Sequence, residues 1–135
     1  MTVRPDRSPL RDMAESAFTE TMKSIESAAP GLVAAVFFDS GGETIDYHSY
    51  LDPYDTRLAA AHHGVIAECA RIQTNWLGTG EIEALEIAAQ RWYSLTVAIA
   101  EGYYLTVIVE PEGLDADLVA AVDRAAEDIR RESGL

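Results

Sequence analysis

A chain of 135 residues with 48% hydrophobic side chains has the size and apolar content of one folded domain, able to bury roughly two thirds of its unfolded surface without staples. Its 23 acidic residues face 10 basic ones, a net charge of −13, which argues against nucleic acid and anionic membranes as partners, since both are held by clustered Lys and Arg. The single cysteine, Cys69, has no partner for an intrachain disulfide and fits a reducing compartment. The N-terminal MTVRPDRSPLRDM lacks the apolar core of a secretory signal, and no apolar run approaches the ~20 residues of a membrane helix. The expected location is the cytoplasm.

Residues 1–10 hold Pro5 and Pro9 among charges and are expected to form a flexible arm, with one domain over 11–132. From Leu10 onward Met13, Ala17, Phe18, Thr21, Met22 and Ile25 share one face of a first helix that ends before Pro30-Gly31. Leu32 to Asp39, LVAAVFFD, is apolar on both alternating faces, the mark of a strand covered on each side. Ser40-Gly41-Gly42-Glu43 reverses the chain, and Thr44 to Tyr50 returns as a more polar edge strand. Asp52 or Asp55 can cap a long helix over Thr56 to Trp76, where Leu58, Ala61, Val65, Ile66, Cys69, Ile72 and Trp76 recur at helical intervals.

Leu77-Gly78-Thr79-Gly80 ends that helix. Glu81 to Ala89, EIEALEIAA, suits a helix by composition but alternates at Leu85, Ile87 and Ala89, and is assigned as a strand. Trp92 to Ala100 places Leu95, Val97 and Ile99 on one face, Glu101-Gly102 turns the chain, and Tyr103 to Val109 repeats the alternation. Leu114, Leu118, Val122, Ala125, Ala126 and Ile129 then mark an amphipathic last helix to about Glu132, with Asp115 and Asp117 at its positive end and Arg130 and Arg131 at its negative end. The element order is α-β-β-α-β-β-β-α, an α/β (α+β) chain with one sheet and helices on its faces.

Catalytic furniture is sparse. His62 and His63 are adjacent on a helix and point about 100° apart, which is poor metal geometry, so no metal and no cofactor is expected. Cys69, among Val65, Ile66 and Ile72, is expected to be a packed thiol rather than a nucleophile. Gly41-Gly42 and Gly78-Thr79-Gly80 match no phosphate-binding loop and are explained by turn chemistry. Trp76, Trp92, Tyr103 and Tyr104 could line a pocket, and equally could be core or interface anchors. No nucleophile, base and oxyanion donor assemble, so no enzyme is expected.

The segments PGLVAAVFFDSGG, LGTGEIEALEI and YYLTVIVEP, each in its place around the long helix, resemble the roadblock/LC7 family from about Met13 to Glu132. The resemblance implies a five-stranded antiparallel sheet in the order 2-1-5-4-3, the first and last helices on one face and the long helix on the other. It also implies a homodimer made by pairing third strands while the long helices pack together. On this chain the seam would be Glu81 to Ala89, with Ile82, Ala84, Leu85, Glu86 and Ile87, and the helix contacts would be His62, Ile66, Cys69, Ala70 and Gln73. Independently, an exposed strand carrying Ile82, Leu85 and Ile87 presents unpaired backbone groups that a second copy could satisfy.

Bacterial members of the MglB type bind a Ras-like small GTPase and can stimulate its hydrolysis, and others are dynein light chains or scaffold subunits. The resemblance therefore implies a non-catalytic regulator or adaptor, with Arg57, Glu68 and Arg71 in the partner surface. No arginine finger is recognisable, so a stimulating regulator would act through the GTPase's own switch residues. The alternative from another class is a small-molecule sensor holding a ligand between sheet and helix.

Overall fold

The run LVAAVFFD has no polar face to turn to water, and it forms strand β1 (Leu32–Asp39) inside a sheet covered on both sides. The structure is a computed structural model that describes residues Met1–Leu135. Chain order continues with β2 (Thr44–Ser49), the long helix α2 (Pro53–Trp76), β3 (Ala84–Ala88), β4 (Tyr93–Ala100), β5 (Tyr103–Val109) and α3 (Ala116–Ser133). A short α1 (Thr19–Ser24), continued by a 3-10 turn over Ile25–Ala28, precedes β1. The sheet is antiparallel throughout, in the expected order β2-β1-β5-β4-β3.

Alternation along the strands divides the interior into two cores. Phe37, Leu95, Val97, Leu105 and Val107 face α1 and α3, where they meet Met22, Ile25, Leu118, Val122 and Ile129. Val36, Phe38, Tyr47 and Ile108 face α2 and meet Ala59, Ala60 and Ala67. Each fully buried Leu or Phe contributes about 1.5–3 kcal/mol of transfer free energy. The β1–β2 reversal is held by the Asp39 carboxylate, which accepts from the N–H groups of Gly41 (2.9 Å) and Glu43 (3.0 Å). Gly42 sits at φ +84°, and a Cβ there would stand 3.2 Å from Ala61 Cα, so the turn needs glycine both for its dihedral and for the approach of α2.

Asp52 caps α2 by accepting from the Tyr54 N–H (3.1 Å), with Pro53 in the first turn. Asp115 caps α3 through the Leu118 N–H (2.9 Å), and Gly134 at φ 74° ends it.

Three expectations about local structure are corrected. The first helix does not begin near Leu10: residues 10–18 hold no helix, and Met13 packs against the α2-side core while Phe18 and Met22 join the other. One helical face cannot serve both, and bonds to β2 from the Arg11 and Ser16 side chains and from the Asp12 backbone N–H replace the missing turns. The third strand is shorter than Glu81–Ala89, because residues 81–83 fall outside the ladder, apart from the Glu83 carbonyl that accepts from Ala98 N–H (3.0 Å).

The third correction concerns α2. Its buried face is made of Pro53, Thr56, Ala59, Ala60, Gly64 and Ala67, small residues that let the helix lie close to the sheet, as the 3.4 Å separation of a Cβ at Gly64 from Phe38 requires. The larger apolar residues point elsewhere, and Cys69 is exposed rather than packed.

Candidate functional site

Two features of the surface stand out, one on the sheet and one on α2. At the sheet's far edge, Ala98 donates its N–H to the Glu83 carbonyl (3.0 Å) and Ala89 donates to Trp92 (3.1 Å). Residues 83, 85, 87 and 89 therefore turn their backbone groups to β4, and by alternation those of Ala84, Glu86 and Ala88 turn outward. Leu85 and Ile87 are half-buried toward α2, whereas Ala84, Glu86 and Ala88 are exposed.

Helix α2 crosses β1, β2 and β5 and leaves a notch above β3 and β4. Ile87, His62, Ile66 and Trp92 line it, around a volume of about 280 Å³. The structure thus brings together three of the residues expected at the seam, Ile87, His62 and Ile66. Cys69, Ala70 and Gln73 continue the same side of α2, at about 100° per residue, without lining the notch. Ile82 lies before β3, in a separate groove of about 750 Å³ shared with Val97 and Ile99, where Glu81, Glu83, Glu101, Asp123 and Glu127 far outnumber Arg71 and Arg130.

Within the notch, His63 is the structured polar group. Its Nδ1–H donates to the Ala59 carbonyl (2.8 Å), which leaves Nε2 to accept from Ser94 Oγ (3.1 Å). Burial lowers its pKa from the usual 6.5, with the Ala59 carbonyl opposing and the His62 charge adding to the shift. The ring is held neutral. No three His, Cys, Asp or Glu side chains come together to hold a metal ion.

Arg57, Glu68 and Arg71, expected in the partner surface, lie within about 60° of one another on the flank of α2 opposite His62, Ile66 and Gln73. All three have partners inside the chain. Arg57 binds Asp12 (2.8 Å), Arg71 Nε donates to Glu68 (2.9 Å), and Tyr104 OH donates to Glu68 (2.7 Å). The Tyr104 phenol is pushed up to about 12 by burial and by the Glu68 carboxylate it faces.

One further group on α2 was not assigned as a surface from the sequence. Val65 (63% exposed), Ile72 (53%) and Trp76 (83%), with Leu58 at the helix's other end, stand on the side of α2 that faces away from the sheet. Leu58, Val65 and Ile72 are spaced by seven, so they align on one ridge. The signal was present in the sequence: opposite them stand only small residues, and a helix whose small side meets a sheet leaves its large side outside.

No protein-family model matches the sequence, and no curated protein matches it either. Solved structures do. A roadblock/LC7 domain from Streptomyces avermitilis superposes with a TM-score of 0.81 at 18% identity, over 89% of this chain and 100% of that one. The chain has the roadblock/LC7 fold. An MglB with a tetrameric arrangement follows the same roadblock/LC7 path at TM-score 0.77 and 17% identity (91% and 96% covered), as does Myxococcus xanthus MglB at 0.76 and 13% (92% and 95%). The roadblock/LC7 likeness accounts for the sheet order and for the placement of α2 alone on its face. No helix is long and apolar enough to cross a membrane.

Proposed function

We propose that this protein is a non-catalytic homodimeric regulator or adaptor that binds a Ras-like small GTPase. Two copies join by antiparallel pairing of their β3 edges, with the His62, Ile66, Cys69, Ala70 and Gln73 side of each α2 packing above the seam. The apolar ridge of Leu58, Val65, Ile72 and Trp76 then receives the GTPase, flanked by Arg57, Glu68 and Arg71. The observation that carries this is the coincidence of an unpaired strand edge with a large apolar ridge on a chain of net charge −13. Exposed apolar surface of this kind marks an interaction site, and the fold likeness to MglB supports a GTPase as the partner.

Light scattering at micromolar concentration tests the dimer: the protein should have twice the chain's mass, and Leu85→Lys should halve it. Binding to a purified Ras-like GTPase from the same genome, GTP-loaded against GDP-loaded, tests the partner. Val65→Glu with Ile72→Glu should weaken that binding at least tenfold while leaving the dimer intact. Unchanged binding by the double variant would remove the ridge from the reading. A sensor role in the notch makes the opposite demand, since a ligand there competes with the second copy; a small molecule retained in native mass spectrometry of a monomer would favour it.

A further inference from the structure

A sheet with two open edges has three ways to recruit a second copy. Pairing β3 with β3 is isologous and closes at two chains, whereas an open β2 lets growth continue without limit, either head to tail with the β3 of the next copy or by joining the β2 edges of successive pairs. The structure treats the two edges differently.

On β2, Tyr50 N–H donates to Val33 O (2.9 Å), which fixes residues 46, 48 and 50 as those that turn toward β1 and Tyr47 as one that turns outward. Both outward groups of Tyr47 are occupied. Its N–H donates to the Asp46 carboxylate (2.7 Å) and its carbonyl accepts from the Arg11 guanidinium (2.5 Å), which also holds Asp46 (2.8 Å). The guanidinium stands over the Tyr47 ring, and Asp46, fully buried, accepts further from Ser16 and Thr19. Arg4 N–H takes the Tyr50 carbonyl (2.9 Å) just beyond the strand.

A second arginine closes the stretch of β4 that outruns β3. There Arg130 of α3 donates to the carbonyls of Ala98 (2.9 Å) and Ile99 (2.7 Å). Nothing comparable lies along β3.

We propose that the Arg11–Asp46 clasp is an edge lock, which denies β2 to a second copy and leaves β3 as the only strand edge open to self-association. The lock makes assembly stop at a two-fold pair instead of growing into filaments. This inference builds on the β3 dimer proposed above, but its test separates the two.

Mass distributions of full-length wild type, Arg11→Ala, Leu85→Lys and the double variant are compared by sedimentation velocity from 5 to 200 µM. Arg11→Ala should form species beyond the dimer that increase with concentration, at least doubling the mean mass at the highest loading. Adding Leu85→Lys should abolish growth beyond two chains, because every such route needs both edges. A folded Arg11→Ala whose distribution matches wild type throughout would overturn the lock. If circular dichroism shows Arg11→Ala unfolded, Arg11→Lys takes its place under the same criterion, since an ammonium cannot span the carboxylate and the Tyr47 carbonyl with one planar fork. Should wild type prove monomeric, the β3 dimer fails, and the lock still stands or falls on whether the Arg11 variant associates where wild type does not.

Discussion

The two outermost strands of this sheet are covered to an extent that their polarity alone does not show. β2 carries Asp46 and His48, polar residues proper to an exposed edge, yet both are buried; β3 carries Leu85 and Ile87 and has no fully buried residue. The difference lies in what the rest of the chain lays against each. Arg4, Arg11, Asp12, Ser16 and Thr19 bond to β2 or to Tyr50 just beyond it and cover its outer side, and Glu26 accepts from His48 Nε2 (2.8 Å) and from Tyr50 OH as well. No segment covers β3. Accessibility of an edge is therefore a property of the whole chain, and the edge that looks more apolar is the one left uncovered.

The largest effect that would break this contrast is expected at Asp46. Asp46→Ala leaves Arg11 unpaired and the Tyr47 N–H without an acceptor, and should cost about 3 kcal/mol, the low end for a broken buried pair because Arg11 keeps some contact with water. Urea denaturation measures it. The matched change on the open edge, Glu86→Ala, should cost under about 1 kcal/mol, as expected for an exposed position. Equal costs at the two sites would erase the distinction between a locked edge and a free one.

Much of this arrangement was legible in the sequence. Strict alternation at Leu95, Val97 and Ile99, and again at Leu105, Val107 and Val109, placed β4 and β5, and the doubly apolar Leu32 to Phe38 placed β1 in the interior. Two things were not legible from periodicity or local pattern alone, for different reasons. The helical interval of Leu58, Val65, Ile72 and Trp76 shows that these residues share a side, but periodicity alone does not say whether that side meets the sheet or a partner; the small residues of the opposite side decide it. The role of Arg11 depends on contacts with residues 35 and 36 positions away in the chain, which no local pattern encodes. The internal partners of Arg57 and Glu68, expected in the partner surface, were equally hidden, because Asp12 and Tyr104 lie 45 and 36 positions away in the chain; only the Glu68–Arg71 pair, three residues apart on one helix, follows a local pattern.

Acid sharpens the contrast by a smaller amount. Burial alone would raise the pKa of Asp46, but hydrogen bonds from Ser16, Thr19, Arg11 and the Tyr47 N–H outweigh it and hold the carboxyl below its ordinary 3.8. A depressed folded value means that the carboxylate's contribution is complete above the unfolded pKa and is lost as pH falls through the folded one. The stability difference between wild type and Asp46→Asn should thus be flat from pH 8 to about 4 and shrink below that. A difference that shrinks already near neutrality would assign the stabilisation to some other group.

The smallest expected effect lies on the β3 side, at His63. Its pKa is lowered chiefly by burial, so the neutral ring's contribution is complete above the unfolded value of about 6.5 and is lost as pH falls toward the lower folded value. The other titratable side chains of the notch are His62, which is exposed, and Tyr93, pushed up to about 12 by burial and by Glu86 and therefore neutral throughout. A second copy seated over the notch would remove still more water from His63 and raise the cost of charging it. The dimer should therefore dissociate a few-fold more readily at pH 5.5 than at pH 7.5, and His63→Gln, neutral at both, should lose most of that difference. A pH dependence that survives the substitution would move its origin away from His63, whereas no pH dependence at all in wild type would mean that the second copy does not cover the notch and that the pairing of β3 edges leaves α2 apart.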